Sequence, residues 1–243
     1  MYRLGLLQCD VVAPELQAQF QDYPVMFAKA FEQAGIAVIW QIYNLLEGEQ
    51  PKSLDEVDGY ITTGARAGVY DELHWYANLV ALIRDIHSAQ IPLVGICFGH
   101  QAIADALGGA VENSGKGWGI GINNYQVTAQ GLSSDVPAWM TPLLDEFVVP
   151  VCHQDQVVKL PAGSTVLAHS AHCENFVAQF SATSLGIQGH PEFEAAYVSE
   201  LIKLREEILP AEVALEAKNS LNNTHDNQTI IRWIAQFLKI RSA

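Results

Sequence analysis

Residues 92–101 read Pro-Leu-Val-Gly-Ile-Cys-Phe-Gly-His-Gln, and residues 189–192 read Gly-His-Pro-Glu. In the first stretch an apolar, strand-like run leads to Cys97, and a helical pattern follows over residues 98–107. A strand, a tight turn flanked by small residues and a helix together form a nucleophile elbow, here as Gly-x-Cys-x-Gly. The stretch therefore predicts an α/β fold in which Cys97 stands where a strand passes into a helix.

The first half of the chain alternates strand-like runs with longer helical patterns. Strands are predicted at residues 2–8, 36–43 and 57–63 and from Pro92, with helices at 22–34 and 71–89. This alternation is typical of a mostly parallel central sheet covered by helices on both faces.

The second half carries short strand-like runs joined by turns, followed by helical patterns. The runs lie at residues 121–129, 146–152, 165–170, 176–181 and 185–188, and the helices at 194–208, 211–221 and 226–240. We expect a small antiparallel extension of the sheet and C-terminal helices. The predicted organisation is one domain over residues 1–193 and a helical extension over residues 194–243 that packs on it.

Length and charge exclude several classes of protein. The chain has 243 residues, is 49% hydrophobic and carries a net charge of −14. That is enough apolar surface for one large α/β domain, and the negative charge repels nucleic acid. No apolar run has the length of a membrane span. The N-terminus enters a strand pattern directly, without the features of a signal peptide, so we expect a cytoplasmic protein with reduced cysteines.

Three side chains in the two quoted stretches predict thiol chemistry. Cys97 lies at a helix N-terminus, whose partial positive charge favours a thiolate, and the amide of Phe98 is placed to donate to an oxyanion. His190 and Glu192 are two residues apart in an extended segment, so both side chains face the same way. We predict that Cys97 is the nucleophile, that His190 takes its proton and that Glu192 orients His190. Alone, Cys97 would read as a buried structural thiol and His190 as a strand-end histidine; their combination favours catalysis.

Three other patterns in the sequence do not fit the functions they suggest. Residues 109–116 end in Gly-Lys, but their spacing is one residue too long for a phosphate loop. The acid follows the histidine, which is not the order of the α/β-hydrolases. Cys173 lies near His169 and His172, but the spacing matches no zinc pattern. We therefore expect neither a metal nor a cofactor.

The two motifs resemble those of the class I glutamine amidotransferases, in particular the stand-alone group similar to the amidotransferase domain of GMP synthase. The resemblance rests on Val-Gly-Ile-Cys-Phe-Gly-His-Gln-Ala at 94–102 and Gly-Ile-Gln-Gly-His-Pro-Glu-Phe at 186–193. It implies a flavodoxin-like fold and a triad of Cys97, His190 and Glu192. It also implies that Gln101 helps bind the substrate and that the Gly64 amide, like that of Phe98, donates to the oxyanion. The substrate's charged ends are expected near Ser170, Ala171, His172 and Cys173.

The implied reaction is hydrolysis of the γ-amide of glutamine, or of a γ-glutamyl amide or peptide, through a thioester on Cys97. Ammonia or an amine would be released. The sequence shows no ATP-pyrophosphatase module, so a synthase subunit is an expected partner if the ammonia is transferred. Two alternatives stay open: a hydrolase or chaperone of the related cysteine-elbow superfamily, and a non-enzymatic or partner-activated subunit on the same fold.

Overall fold

The computed structural model describes residues 1–128 and 137–240. Its eleven strands are β1 (Arg3–Gln8), β2 (Ile39–Asn44), β3 (Gly59–Thr62), β4 (Leu93–Ile96), β5 (Ala110–Asn113), β6 (Gly119–Val127), β7 (Glu146–His153), β8 (Asp155–Lys159), β9 (Thr165–His169), β10 (Val177–Ser181) and β11 (Ser184–Ile187). Nine of them form one sheet in the order β2-β1-β3-β4-β11-β10-β9-β6-β7, while β5 pairs with β8.

The sheet has a parallel half and an antiparallel half. β2, β1, β3, β4 and β11 run parallel, and the pairs from β11 through β7 are antiparallel. The extension that was expected to be small therefore holds four of the nine strands of this sheet. In the parallel half, Thr62 pairs with Gly95 and Ile96 with Ile187. The carboxyl ends of β3, β4 and β11 consequently meet at one edge of the sheet, where ligands bind in open α/β folds.

Helices cover both faces of the sheet, as predicted. They are α1 (Pro14–Phe20), α2 (Tyr23–Gln33), α3 (Tyr76–Ser88), α4 (Phe98–Ala106), α5 (Ala195–Leu204), α6 (Ala211–Ser220) and α7 (Asn227–Phe237). Leu4 and Leu6 of β1 share an apolar cluster with α2 and α7, whereas Leu7 belongs to the cluster that contains α3 and α4. The alternation of side chains along a strand sends these residues to opposite faces.

The C-terminal helices pack on the body of the fold. Trp233 and Ile234 of α7 lie in the same buried cluster as the strands, and α5 and α6 share a cluster with Ile120 of β6. The domain boundary at residue 193 stays a prediction. No helix within the described ranges is long and apolar enough to cross a membrane.

Some elements differ from those predicted. α1 falls between the predicted strand 2–8 and the predicted helix 22–34; it has seven residues and buries one of them, Leu16, so its periodic signal is weak. The pair of β5 and β8 was also missed, and residues 205–208 form turns instead of continuing α5. Residue 129 of the predicted strand 121–129 lies outside the described residues.

Candidate active site

The chain turns sharply at Cys97, between the end of β4 and the start of α4. Cys97 has φ 50° and ψ −102°, a conformation that is uncommon for a residue with a side chain and is found mostly at functional sites. Its amide donates to the Ile187 carbonyl at 2.8 Å, and its carbonyl accepts from the Gln101 amide at 3.1 Å. The neighbouring strand and the helix therefore hold the elbow in place.

The glycines on either side of Cys97 are required by close packing. A Cβ atom on Gly95 would collide with the backbone of Gly99, and one on Gly99 would collide with the side chain of Thr62. The helix thus lies directly against the ends of β3 and β4, and the Gly-x-Cys-x-Gly pattern follows from that contact.

The structure brings His190 and Glu192 to Cys97. β11 lies beside β4, so the segment that follows Ile187 passes next to the elbow. Glu192 Oε1 lies 2.7 Å from His190 Nδ1, and both side chains are buried. The ring of Phe193 stacks on the imidazole with a centroid separation of 4.0 Å. The imidazole is therefore fixed on one side by a carboxylate and on one face by an aromatic ring.

The charges around His190 favour its protonated form. Burial alone lowers the pKa of His190, but the negative charges of Glu192 and Cys97, with a hydrogen bond to each, raise it to about 10. The imidazole consequently carries a proton at neutral pH beside the sulfur. This arrangement can hold a thiolate and can deliver a proton to a departing amine.

Both predicted oxyanion donors lie at the elbow. A Cβ on Gly64 would come within 2.7 Å of His190 Cε1 and 3.4 Å of Cys97 Cβ, so Gly64 lies against both of these side chains. Phe98 is the first residue of α4, and the amide at that position has no partner within its own helix. Their role as oxyanion donors stays a prediction.

The loop that carries Gly64 is held from both ends. Thr63 Oγ1 accepts a hydrogen bond from the Cys9 amide at 2.9 Å, and the Thr63 amide donates to the Leu7 carbonyl. Farther along, the guanidinium of Arg66 donates twice to the Asp10 carboxylate, at 2.9 and 2.8 Å, and its backbone amide donates to the same carboxylate. Sequence analysis did not single out Asp10 and Arg66, although both follow the carboxyl end of a parallel strand, β1 and β3.

A pocket of about 430 Å³ opens over Cys97. Gln101 lines it, together with residues 152–155, where β7 passes into β8; the predicted role of Gln101 in substrate binding stays a prediction. The four residues expected to hold the substrate's ends, Ser170, Ala171, His172 and Cys173, are outside this lining. Ser170 and Cys173 instead close a turn on each other. His172 approaches the pocket indirectly, since its ring lies 5.8 Å from that of His153.

Gln188 is a site residue that sequence analysis missed. It is fully buried; its side-chain nitrogen donates to Cys97 Sγ at 3.4 Å, and its oxygen accepts from Gln101 Nε2 at 3.1 Å. Gln101 also donates to the Asp155 carbonyl at 2.9 Å. Gln188 stands in the second quoted motif, but residues 188–189 form a bend after β11, so no strand periodicity in the sequence indicates where its side chain points.

The other titratable side chains near the pocket give no metal cluster. Among residues 1–128 and 137–240, no group of three or more His, Cys, Asp or Glu side chains could hold a metal ion. All four cysteines are free. Burial lowers the pKa of His153 to about 3, so this imidazole is neutral at physiological pH.

The chain is similar to several known proteins. The sequence profile of the family described as "Glutamine amidotransferase class-I" matches residues 26–200. Gamma-glutamyl peptidase 5 of Arabidopsis thaliana is 27% identical over 84% of this chain and 82% of its own length. GMP synthase of Dehalococcoides mccartyi is 34% identical over 55% of this chain and 23% of its own length. The crystal structure of a glutamine amidotransferase from Methylobacillus flagellatus superposes with a TM-score of 0.75 at 21% identity, covering 100% of this chain and 97% of that one.

Proposed function

Because the chain belongs to the class-I glutamine amidotransferase family, we propose that it hydrolyses the γ-amide of glutamine or of a γ-glutamyl peptide through a thioester on Cys97. The arrangement of Cys97, His190 and Glu192 carries this proposal. The nucleophile stands in a strained elbow at a helix N-terminus, and a buried imidazole held by a carboxylate lies beside it. The relatives include proteins named γ-glutamyl peptidase and GMP synthase, which supports both substrate classes.

The first half of the reaction forms the thioester. Cys97 Sγ attacks the γ-carbonyl carbon, and the amides of Gly64 and Phe98 stabilise the developing oxyanion. The carbon–nitrogen bond then breaks as His190 passes its proton to the departing nitrogen. The products of this step are the γ-glutamyl thioester and ammonia or an amine.

The second half releases glutamate. His190, now neutral, takes a proton from a water molecule that attacks the thioester carbon. The same two amides stabilise the second oxyanion. When the carbon–sulfur bond breaks, the sulfur leaves as a thiolate beside the reprotonated imidazole, and the carboxylate product departs. Glu192 holds the Nδ1 side of the ring throughout, so that the opposite nitrogen exchanges the proton.

Recognition of the γ-glutamyl head is assigned to the end of the pocket formed by Gln101 and residues 152–155. These residues line the pocket next to Cys97. They offer backbone and side-chain polar groups to the α-amino and α-carboxylate groups. A substrate without the α-amino group would leave polar groups unpaired, at a cost of about 1–3 kcal/mol each, so we expect its kcat/KM to fall roughly ten- to several-hundred-fold.

A direct assay tests the proposal. The purified chain is incubated with glutamine, with γ-glutamyl dipeptides and with the des-amino analogue of glutamine, and the release of glutamate and of ammonia or amine is measured. Cys97→Ala serves as the inactive control. Cys173→Ala is the matched variant, because Cys173 is buried outside the pocket lining. Failure to hydrolyse any γ-glutamyl compound would refute the proposal. Hydrolysis of glutamine only after another protein is added would instead identify a subunit that depends on a synthase partner.

A further inference from the structure

The pocket extends beyond the catalytic residues along one face of α5 and the turn that follows. Phe193, Tyr197, Leu201, Arg205 and Ile208 all line it. Their spacing of three or four residues places them on one side of a helix. The row starts at the catalytic centre, because Phe193 stacks on His190 and Tyr197 packs edge-on against Phe193 at 4.6 Å.

The direction of this row identifies the part of the substrate that it faces. In the proposed reaction His190 delivers its proton to the departing nitrogen, so whatever that nitrogen carries must lie on the His190 side of the bond. The γ-glutamyl head takes the side of Gln101 and residues 152–155. The row on α5 therefore faces the leaving amine.

The row is apolar and contains one cation with no acidic partner. Ile208 of the row and the adjacent Leu204 are 62% and 47% exposed, although both line the pocket. The Arg205 guanidinium lies over the ring of Trp118, 5.5 Å from its centroid. Among the ion pairs of the described residues none involves Arg205. Arg66, the other arginine of the pocket, is paired with Asp10.

We propose, on the basis of the proposed function, that Trp118, Leu204, Arg205 and Ile208 form a subsite for the leaving half of a γ-glutamyl dipeptide. The residue in that half is apolar and carries a free carboxylate. Its side chain packs on Leu204 and Ile208, and its carboxylate binds Arg205, which Trp118 keeps in place. In a chain with a net charge of −14, an arginine at the pocket that has no acidic partner, and whose guanidinium donates to the Leu201 carbonyl at 3.5 Å, favours an anionic group at this position. Glu15 also lines the pocket, from the start of α1, and would disfavour a carboxylate on its own side.

The test compares kcat/KM for γ-glutamyl-leucine, γ-glutamyl-leucinamide, γ-glutamyl-glycine and glutamine. We expect kcat/KM of the wild-type chain to be about tenfold or more higher for γ-glutamyl-leucine than for γ-glutamyl-glycine, which lacks the apolar side chain. We also expect it to be about tenfold higher for γ-glutamyl-leucine than for γ-glutamyl-leucinamide, which lacks the carboxylate. Arg205→Gln should remove the second preference, and Ile208→Ser should weaken the first. Arg232→Gln on α7, which is outside the pocket lining, is the matched control and should keep both ratios.

The outcomes separate the subsite from the activity. If glutamine and the dipeptides are hydrolysed but the wild-type ratios are near one, the subsite is refuted and the proposed function stands. If Arg205→Gln and Arg232→Gln change the ratios equally, Arg205 is not the carboxylate partner and the inference is overturned. If no compound is hydrolysed, the proposed function and the subsite fail together. Ile208 is exposed, so we expect Ile208→Ser to fold. This variant therefore tests the apolar contacts of the subsite separately from the role of Arg205.

Discussion

The side-chain nitrogen of Gln188 points at the sulfur of Cys97 from 3.4 Å. Its oxygen is held by Gln101, and Gln101 is held in turn by the Asp155 carbonyl. The amide is therefore fixed with a donor toward the nucleophile, and such a donor stabilises the thiolate more than the thiol.

We predict that Gln188→Met slows both turnover and alkylation of Cys97 at neutral pH. A hydrogen bond to a charged group contributes about 1.5–3 kcal/mol, which corresponds to about tenfold or more in rate. The rate of reaction with iodoacetamide, measured as a function of pH, reports the thiolate directly. Gln179→Met on β10 is the control, since that amide donates to Ser181 instead. Equal rates in the two variants would show that Gln188 only fills space.

Glu192→Gln should lower kcat/KM by roughly 100-fold, less than Cys97→Ala or His190→Ala. The amide can still orient the imidazole, but the charge that raises the pKa of His190 to about 10 is lost. Without that charge the pKa of His190 is lower, and the imidazole loses its proton at a lower pH. The alkaline limb of the pH–rate profile therefore moves to lower pH.

The control for this substitution is Glu194→Gln, two residues farther on. Glu194 is 50% exposed and pairs with Lys29 at the surface, so its neutralisation should leave the profile in place. An alkaline limb that does not move in Glu192→Gln would contradict the assignment of the proton to His190.

Asp10→Asn should destabilise the fold and loosen the loop that carries Gly64. Burial raises the pKa of Asp10, but the hydrogen bonds from Arg66 outweigh it and hold the pKa below its usual value. The charged form is thus the stabilising one, and its contribution is present above the unfolded pKa and disappears as the pH falls below it. We expect a loss of about 1.5–3 kcal/mol in the free energy of unfolding near neutral pH.

Chemical denaturation at several pH values checks this. The difference between Asp10→Asn and wild type should shrink as the pH falls through about 4. Asp145→Asn is the matched variant, because Asp145 is exposed. A pH-independent difference would point to packing and not to the charge of Asp10.

Cys97 should be the one cysteine that a brief, substoichiometric pulse of iodoacetamide labels at neutral pH. Burial raises the pKa of Cys9 above its usual range, and it raises that of Cys152 to about 11 and that of Cys173 to about 12. These three thiols are therefore protonated and slow to react. Peptide mass spectrometry locates the label, and preferential labelling of Cys152, which also lines the pocket, would overturn the prediction.

The sequence by itself determined the elements whose signal is local. The elbow at Cys97 consists of a strand, a turn and a helix within a few residues. Its two glycines indicate that the helix lies close to the strand backbone, as such a turn requires. His190 and Glu192 are also close in the chain, but the predicted extended segment is wrong: residues 191–192 form a turn in which the Phe193 amide donates to the His190 carbonyl at 3.2 Å, and this turn brings the carboxylate to the imidazole. The helices on both faces follow from the alternation of strand and helix patterns in the first half.

Only the tertiary structure decided which distant residues meet at the site, because that depends on the order of the strands in the sheet. The two-residue period shows which face of a strand is buried, but it does not name the neighbouring strand. The pairing of Ile96 with Ile187 brings Gln188 to the sulfur, and the pairing of Gly119 with His153 leaves the end of β7, and not residues 170–173, at the pocket. The row on α5 that we propose faces the leaving amine likewise lines the pocket only because that helix packs against β6 and β7. Such contacts join residues far apart in the chain, and their free energy is gained only when the whole sheet has formed.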